Sequence, residues 1–279
     1  MNEFRTINKV ITGGRAVDGA GVSLVRVIGY HDTEDFDPFL MLDAFDSRNP
    51  EDYIKGFPWH PHRGIETITY LIKGDIEHGD SLGNKGSILD GQCQWMTAGS
   101  GIIHQEMPKP SERMLGVQLW LNLPAKYKMT APKYRSITIE DIPVIEEPGK
   151  RIHIISGDYK GNRGAAKGDF VKALYLDVEM EPGSEWVIDT EGENTLFIYI
   201  MEGEVKFGEE ERLIQEKHAV LFSHGNKLKA VTADKKARFL LFSGKPLKEP
   251  IAWGGPIVMN TKEELDTAFK ELDNNTFIK

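Results

Sequence analysis

FPWHPHRGIETITYLIKGDIEHGD, residues 57–80, cannot be helical where it starts. Pro58 and Pro61 lack amide donors and hold the residues before them extended. Beyond Gly64, TITYLIKG is β-branched and aromatic and stops at Gly74, as a strand entering a turn does. On extended backbone His60 and His62, spaced i, i+2, point to the same face. A second stretch, QWMTAGSGIIHQEMP at 94–108, carries His104 and Glu106 with the same spacing. Laid side by side, the two strands bring three imidazoles and one carboxylate to one point.

Outward from there the chain keeps the same character. VSLVRVIG (22–29), FLML (39–42) and LGVQLWLNLP (115–124) are short apolar runs bounded by Gly, Asp or Pro. EDIPVIEEPGKR, residues 140–151, is charged and Pro-containing and reads as a crossing between halves. The β pattern then restarts in ALYLDVEMEPGSEWVI, TLFIYIMEGEVKFG, HAVLFSHGNKLKAVTA and ARFLLFSG, in the manner of a weak internal duplication. One helix is expected, in TKEELDTAFKEL from Thr261. Thr261 and Glu264 form a capping box, and Leu265, Ala268, Phe269 and Leu272 form an apolar stripe. The pattern predicts an all-β chain of two antiparallel jelly-roll barrels with a short C-terminal helix, divided into domains 1–139 and 140–279.

Composition narrows the function classes. The 279 residues carry a formal net charge of -9, with no Lys/Arg-rich block, which disfavours contact with a phosphate backbone. No apolar run approaches the ~20 residues of a membrane helix. MNEFRTINKVITGG has no signal-peptide core, and Cys93, the single cysteine, excludes an internal disulfide. The expectation is a cytoplasmic protein, with Cys93 a buried apolar residue.

His60, His62, His104 and Glu106 form the constellation that carries chemistry. Imidazole and carboxylate suit iron, manganese, nickel, copper or zinc, and a divalent ion on these four keeps open positions for substrate. Glu66 shares the parity of His62 but stands ~13 Å further along an extended strand. We take Glu106 as the ligand and give Glu66 a role behind the ligands or at the gate. His31, His78, His153, His218 and His224 lack a paired ligand nearby and read as surface or satisfied core histidines. Phe57, Trp59, Met96 and Trp120 are candidate pocket walls.

The stretches DPFLMLDAF, GFPWHPHRGIETITYLIKGDIEHGDSLGNKG, QWMTAGSGIIHQEMP, GVQLWLNLP and GKPLKEPIAWGGPIVMNTKEEL resemble the pirins, a branch of the cupin superfamily. The resemblance covers most of the chain. It implies a bicupin with two barrels face to face and a metal in the first only, held by His60, His62, His104 and Glu106. The general cupin pattern uses the glutamate matching Glu66, and pirins depart from it there. The turn before Gln-Trp-Met is Asp90-Gly91-Gln92 followed by Cys93, a departure from the usual pirin Pro-Gly-Asp. The second half has no His-x-His or His-x-Glu, so its barrel is expected to be metal-free.

Some pirins resemble quercetin 2,3-dioxygenases, which open the central ring of a flavonol with O₂ and release CO. Animal pirins are iron-dependent transcriptional co-regulators. The resemblance therefore implies an oxidoreductase holding one divalent transition metal, Fe(II) first, with Mn, Ni, Cu, Co or Zn as alternatives. A flavonol and O₂ are the expected small-molecule partners. The other reading is a non-catalytic, metal-dependent regulator with a protein partner, and anaerobic isomerase chemistry is a third. A monomer is expected, because two barrels in one chain already supply a dimer-like interface.

Overall fold

The computed structural model describes residues 4–209 and 212–279. The chain forms two compact units. One unit comprises Gly14–Thr33, Pro38–Ile139 and Leu247–Lys279. The other comprises the residues through Gly13, Glu34–Asp37 and Glu140–Pro246. The break near residue 139 is where the charged crossing lies, but the ends of the chain do not follow a division into 1–139 and 140–279. Ile7–Thr12 pairs antiparallel with His218–Phe222, and Ile7 and Val10 pack on the core of that second unit. At the other end, Leu265, Ala268 and Leu272 of the helix join Ile257, Met259, Phe277 and Ile103 in the first unit. Each barrel buries an apolar face supplied by a distant part of the chain, which a split at one point cannot express.

Both units have the same architecture, a seven-stranded antiparallel sheet and a four-stranded one. In the first unit the seven strands run in the spatial order Lys133–Ile137, Cys93–Thr97, Ile65–Lys73, Met114–Asn122, Phe39–Ser47, Val22–Ile28 and Gly14–Asp18. The smaller sheet is ordered Phe57–His62, Ile102–Pro108, Ile76–Asp80 and Lys85–Ile88. The chain is all-β in two cupin-type barrels whose sheets repeat the same strand order, except that the outermost strand of the larger sheet is Lys133–Ile137 in the first unit and Ile7–Thr12 in the second.

The two barrels are filled differently. The second unit's interior is apolar, with Trp186, Ile198, Phe207, Phe239 and Leu241 fully buried in one cluster. The first unit has two separate apolar clusters and buries Thr67, Thr69, His78, Gln94, His104 and Glu106 as well. Buried polar groups cost free energy unless they are partnered, so this barrel is built around something polar.

The helix Lys262–Asp273 begins as its sequence requires. The Thr261 hydroxyl accepts from the Glu264 amide at 3.2 Å, and the Glu264 carboxylate accepts from the Asn260 amide at 2.9 Å. Among the described residues no helix is long and apolar enough to cross a membrane.

Candidate metal centre

Phe57–His62 is the edge strand of the four-stranded sheet, which is why two prolines are tolerated in it. It pairs with Ile102–Pro108 in a register that sets His62 opposite Ile102 and His60 opposite His104. A register shift follows, so Glu106 stands opposite Phe57. Along Ile102–Pro108 burial alternates strictly, and His104 and Glu106 share the inward face. The ligand atoms of His60, His62 and His104 lie within 4.8 Å of one another.

Hydrogen bonding fixes the ring tautomers. His60 Nδ1 lies 2.8 Å from the Pro58 carbonyl and His62 Nδ1 lies 3.0 Å from the Pro256 carbonyl. A carbonyl oxygen only accepts, so both Nδ1 atoms carry the proton and donate it. The two Nε2 atoms then face each other 3.1 Å apart. That spacing suits a shared cation, either a proton in a hydrogen bond between the rings or a metal ion held by both Nε2 atoms. Burial, and then the neighbouring His60, push the His62 pKa down to about 3, so His62 itself does not bring a proton to that contact at neutral pH. Burial and the neighbouring histidines hold His104 well below the ordinary histidine range. His104 is fully buried and, among the described residues, has no hydrogen-bond partner at either ring nitrogen, and an unpartnered buried polar group costs ~1–3 kcal/mol. Three converging imidazoles, two of them held at Nδ1 by backbone carbonyls, are a donor set a transition-metal ion takes, so the residues fit a metal.

Glu106 lies outside the three-nitrogen cluster. Its Oε1 accepts from Thr69 Oγ1 at 3.0 Å and from Gln94 Nε2 at 3.5 Å, and its Oε2 accepts from Gln118 Nε2 at 2.7 Å. Glu66 is placed differently from the sequence expectation. Gly64, at φ +77°, turns the chain out of the histidine strand, and Glu66 sits in the seven-stranded sheet on Ile65–Lys73. Thr67 and Thr69 alternate with it, and Thr69 faces the interior, where it reaches Glu106. Glu66 therefore faces the opposite side of that sheet, where its Oε1 accepts from Thr97 Oγ1 at 2.6 Å. Parity counted from His62 fails because it does not carry through a turn between sheets.

The chain matches the model of the family described as Pirin over residues 21–121 and that of the Pirin C-terminal cupin domain over 175–278. A Pirin-like protein from Caulobacter vibrioides is 40% identical, with 98% of this chain and 99% of that protein covered. The chain belongs to the pirin family. Human Pirin is 37% identical to it over 98% of this chain and 94% of that protein. A crystal structure of quercetin 2,3-dioxygenase from Acinetobacter baumannii is 32% identical and covers 98% of both chains, with a TM-score of 0.89.

In this pirin His60 and His62 line a cavity of about 950 Å³, within the range of small-molecule sites, and His104 is buried behind them. Phe57, Trp59 and Trp120 line it, as the sequence suggested, together with His60, His62, Trp253, Arg26 and Gln118. Met96 does not line it; it is fully buried in the cluster with Ile65, Leu40 and Trp120. The Trp120 ring stands edge-on to His62 at 5.0 Å and is followed by Trp253 at 5.8 Å. Arg26 is fixed by both oxygens of Asp43, at 2.9 and 2.8 Å, and by Asp18 at 2.8 Å. Gln118 joins cavity to interior: its Oε1 accepts from Trp120 Nε1 at 3.3 Å while its Nε2 donates to Glu106.

Several of these residues were not legible in the sequence. His78 reads there as incidental, but it is buried on the inward face of Ile76–Asp80, opposite Glu106 in register. It stacks on Tyr134 at 4.5 Å, stands 5.5 Å from the His104 ring and bonds Asp80 through Nε2 at 3.1 Å. The i, i+2 rule applied to His78 and Asp80 would have found it. Nothing in the sequence ties Trp253 or Pro256 to His62, some 190 residues away.

Proposed function

We propose that this pirin is a metal-dependent dioxygenase of the quercetin 2,3-dioxygenase type, opening the central ring of a flavonol or a related enol-bearing aromatic with O₂ and releasing CO. The observation that carries the reading is the convergence of the His60, His62 and His104 ligand atoms within 4.8 Å of one another, beside an aromatic-walled cavity that His60 and His62 line. His60, His62 and His104 would hold the ion, with Glu106 as the fourth ligand from the same inward face as His104. A divalent transition metal there, Fe(II) first and Mn, Ni, Cu, Co or Zn on the same donors, supplies Lewis acidity for the enolate and a route for electrons to O₂.

The protein's own groups do the rest. Trp59, Trp120 and Trp253 offer flat apolar walls suited to a fused aromatic ring system. Glu106 Oε2, steered by Gln118, accepts the proton of the substrate's enolic hydroxyl as general base. The Pro58 and Pro256 carbonyls keep Nδ1–H on His60 and His62, so that Nε2 stays the donor atom. The likeness to the Acinetobacter enzyme supports the substrate class.

The test is quercetin turnover by protein loaded in turn with iron, manganese, nickel, copper and cobalt, following O₂ consumption and CO release. Turnover that persists without O₂ would point to isomerase chemistry. No turnover with any ion would favour a metal-dependent binding protein. For that second reading the observation is the rim of the same cavity, where Tyr30 and Trp59 are 60% and 54% exposed.

A further inference from the structure

Arg63 follows His62 directly, and it is almost completely buried. Its Nη1 donates to Glu271 at 2.6 Å and its Nη2 to the Phe277 carbonyl at 2.8 Å. Its Cζ lies 4.1 Å from the centroid of the Phe277 ring, and its Nε donates to the Ser100 carbonyl at 2.7 Å. Its backbone carbonyl accepts from the Val258 amide at 3.1 Å. Lys128, also buried, bridges the same place: its Nζ donates to the Gly64 and Val258 carbonyls, each at 2.9 Å. The two backbones are so close that a Cβ on Gly64 would stand 1.9 Å from the Val258 oxygen.

Pro256, whose carbonyl fixes the His62 tautomer, is two residues before Val258. The group that orients this imidazole thus comes from a segment 194 residues further along. An Arg–Glu pair whose guanidinium is buried is weak evidence of added stability, since its desolvation offsets much of the attraction. What a planar guanidinium with fixed donor directions does add is register. Arg63 grips the helix end with its side chain and the Ile257–Met259 strand with its backbone.

We propose that Arg63 is a positioning residue for the metal centre: it locks the C-terminal segment so that the Pro256 carbonyl holds Nδ1–H of His62 and leaves Nε2 as the donor atom. This rests on the metal-centre reading. Partners behind a ligating histidine change metal affinity by about 10–100-fold.

The test uses the full chain and cobalt(II) as probe, reading both affinity and the visible absorption of the bound ion. Arg63→Met is expected to weaken cobalt(II) binding by about 10–100-fold and to alter the band shape. Glu271→Gln, which touches none of the ligands, is expected to weaken it several-fold. Arg63→Lys, which keeps the charge but not the fork, should recover part of the loss. If Arg63→Met does not fold, Glu271→Gln and Arg63→Lys carry the test. Wild-type affinity and band shape in folded variants, with only a lowered Tm, would overturn the proposal and leave Arg63 a docking residue. A wild-type protein that binds no cobalt(II) would sink the metal reading, and the proposal with it.

Discussion

Acidification should destabilise the metal-free protein through His62. In the folded state burial holds the pKa of this imidazole at about 3, against an ordinary 6.5 in an unfolded chain. Between those values the unfolded state takes up a proton that the folded state refuses. Its stabilisation relative to the native state therefore grows as pH falls. The folded pKa is the depressed one, so the penalty is absent above pH 6.5 and complete near pH 3. Each pH unit inside that window costs ~1.4 kcal/mol. Taking the protein from pH 7 to pH 4 should thus remove ~3 kcal/mol through His62 alone, a large share of an ordinary domain's ~5–15 kcal/mol. The assay is urea unfolding of chelator-treated protein at pH 7 and pH 4, followed by tryptophan fluorescence. Trp59, Trp95, Trp120 and Trp253 all lie in the unit that holds the site, and only Trp186 lies in the other. His62→Asn keeps a donor for the Pro256 carbonyl but cannot titrate, and it should lose ~3 kcal/mol less than wild type over the same pH step. Equal losses in the two proteins would refute the reasoning, whatever their absolute stabilities.

The other expectations are as direct. Glu106→Gln should lower metal content and abolish turnover, whereas Glu66→Gln, on the far face of its sheet, should keep its metal; metal analysis of the two purified variants decides. A metal present at a hundred times its dissociation constant should stabilise the protein by ~2.7 kcal/mol, so chelation should lower Tm, and an unchanged melting curve would count against a bound ion. Gly64→Ala puts an L side chain at φ +77° and a methyl against the Val258 carbonyl, and it should cost at least ~2 kcal/mol by urea unfolding. Trp253→Ala should raise KM for an aromatic substrate more than it lowers kcat, because it removes a cavity wall and no proton-handling group.

What could be read from the sequence was what local geometry dictates. Prolines at 58 and 61, β-branched runs and glycine turns made the strands legible, and a period of two set His60 with His62 and His104 with Glu106 on common faces. The capping box at Thr261 announced its helix for the same reason, because every group it needs lies within four residues. Glu66 marks where that logic stops. Its parity was counted through Gly64, and one residue at positive φ moved it to another sheet and another face. His78 was within reach of the rule but gave no sign of its burial, because stacking on Tyr134 is a contact between distant strands.

The sequence by itself determined the β architecture, the duplication and the histidines that converge. Tertiary structure alone decided which carbonyl fixes His62, which rings wall the cavity, and that the C-terminal segment belongs with the first barrel. The reason is physical. Backbone sterics and side-chain alternation act over a few residues and are written in local order. Which distant surface covers a barrel depends on apolar fit and on single hydrogen bonds such as that between His62 and Pro256, and these exist only once the chain has closed on itself.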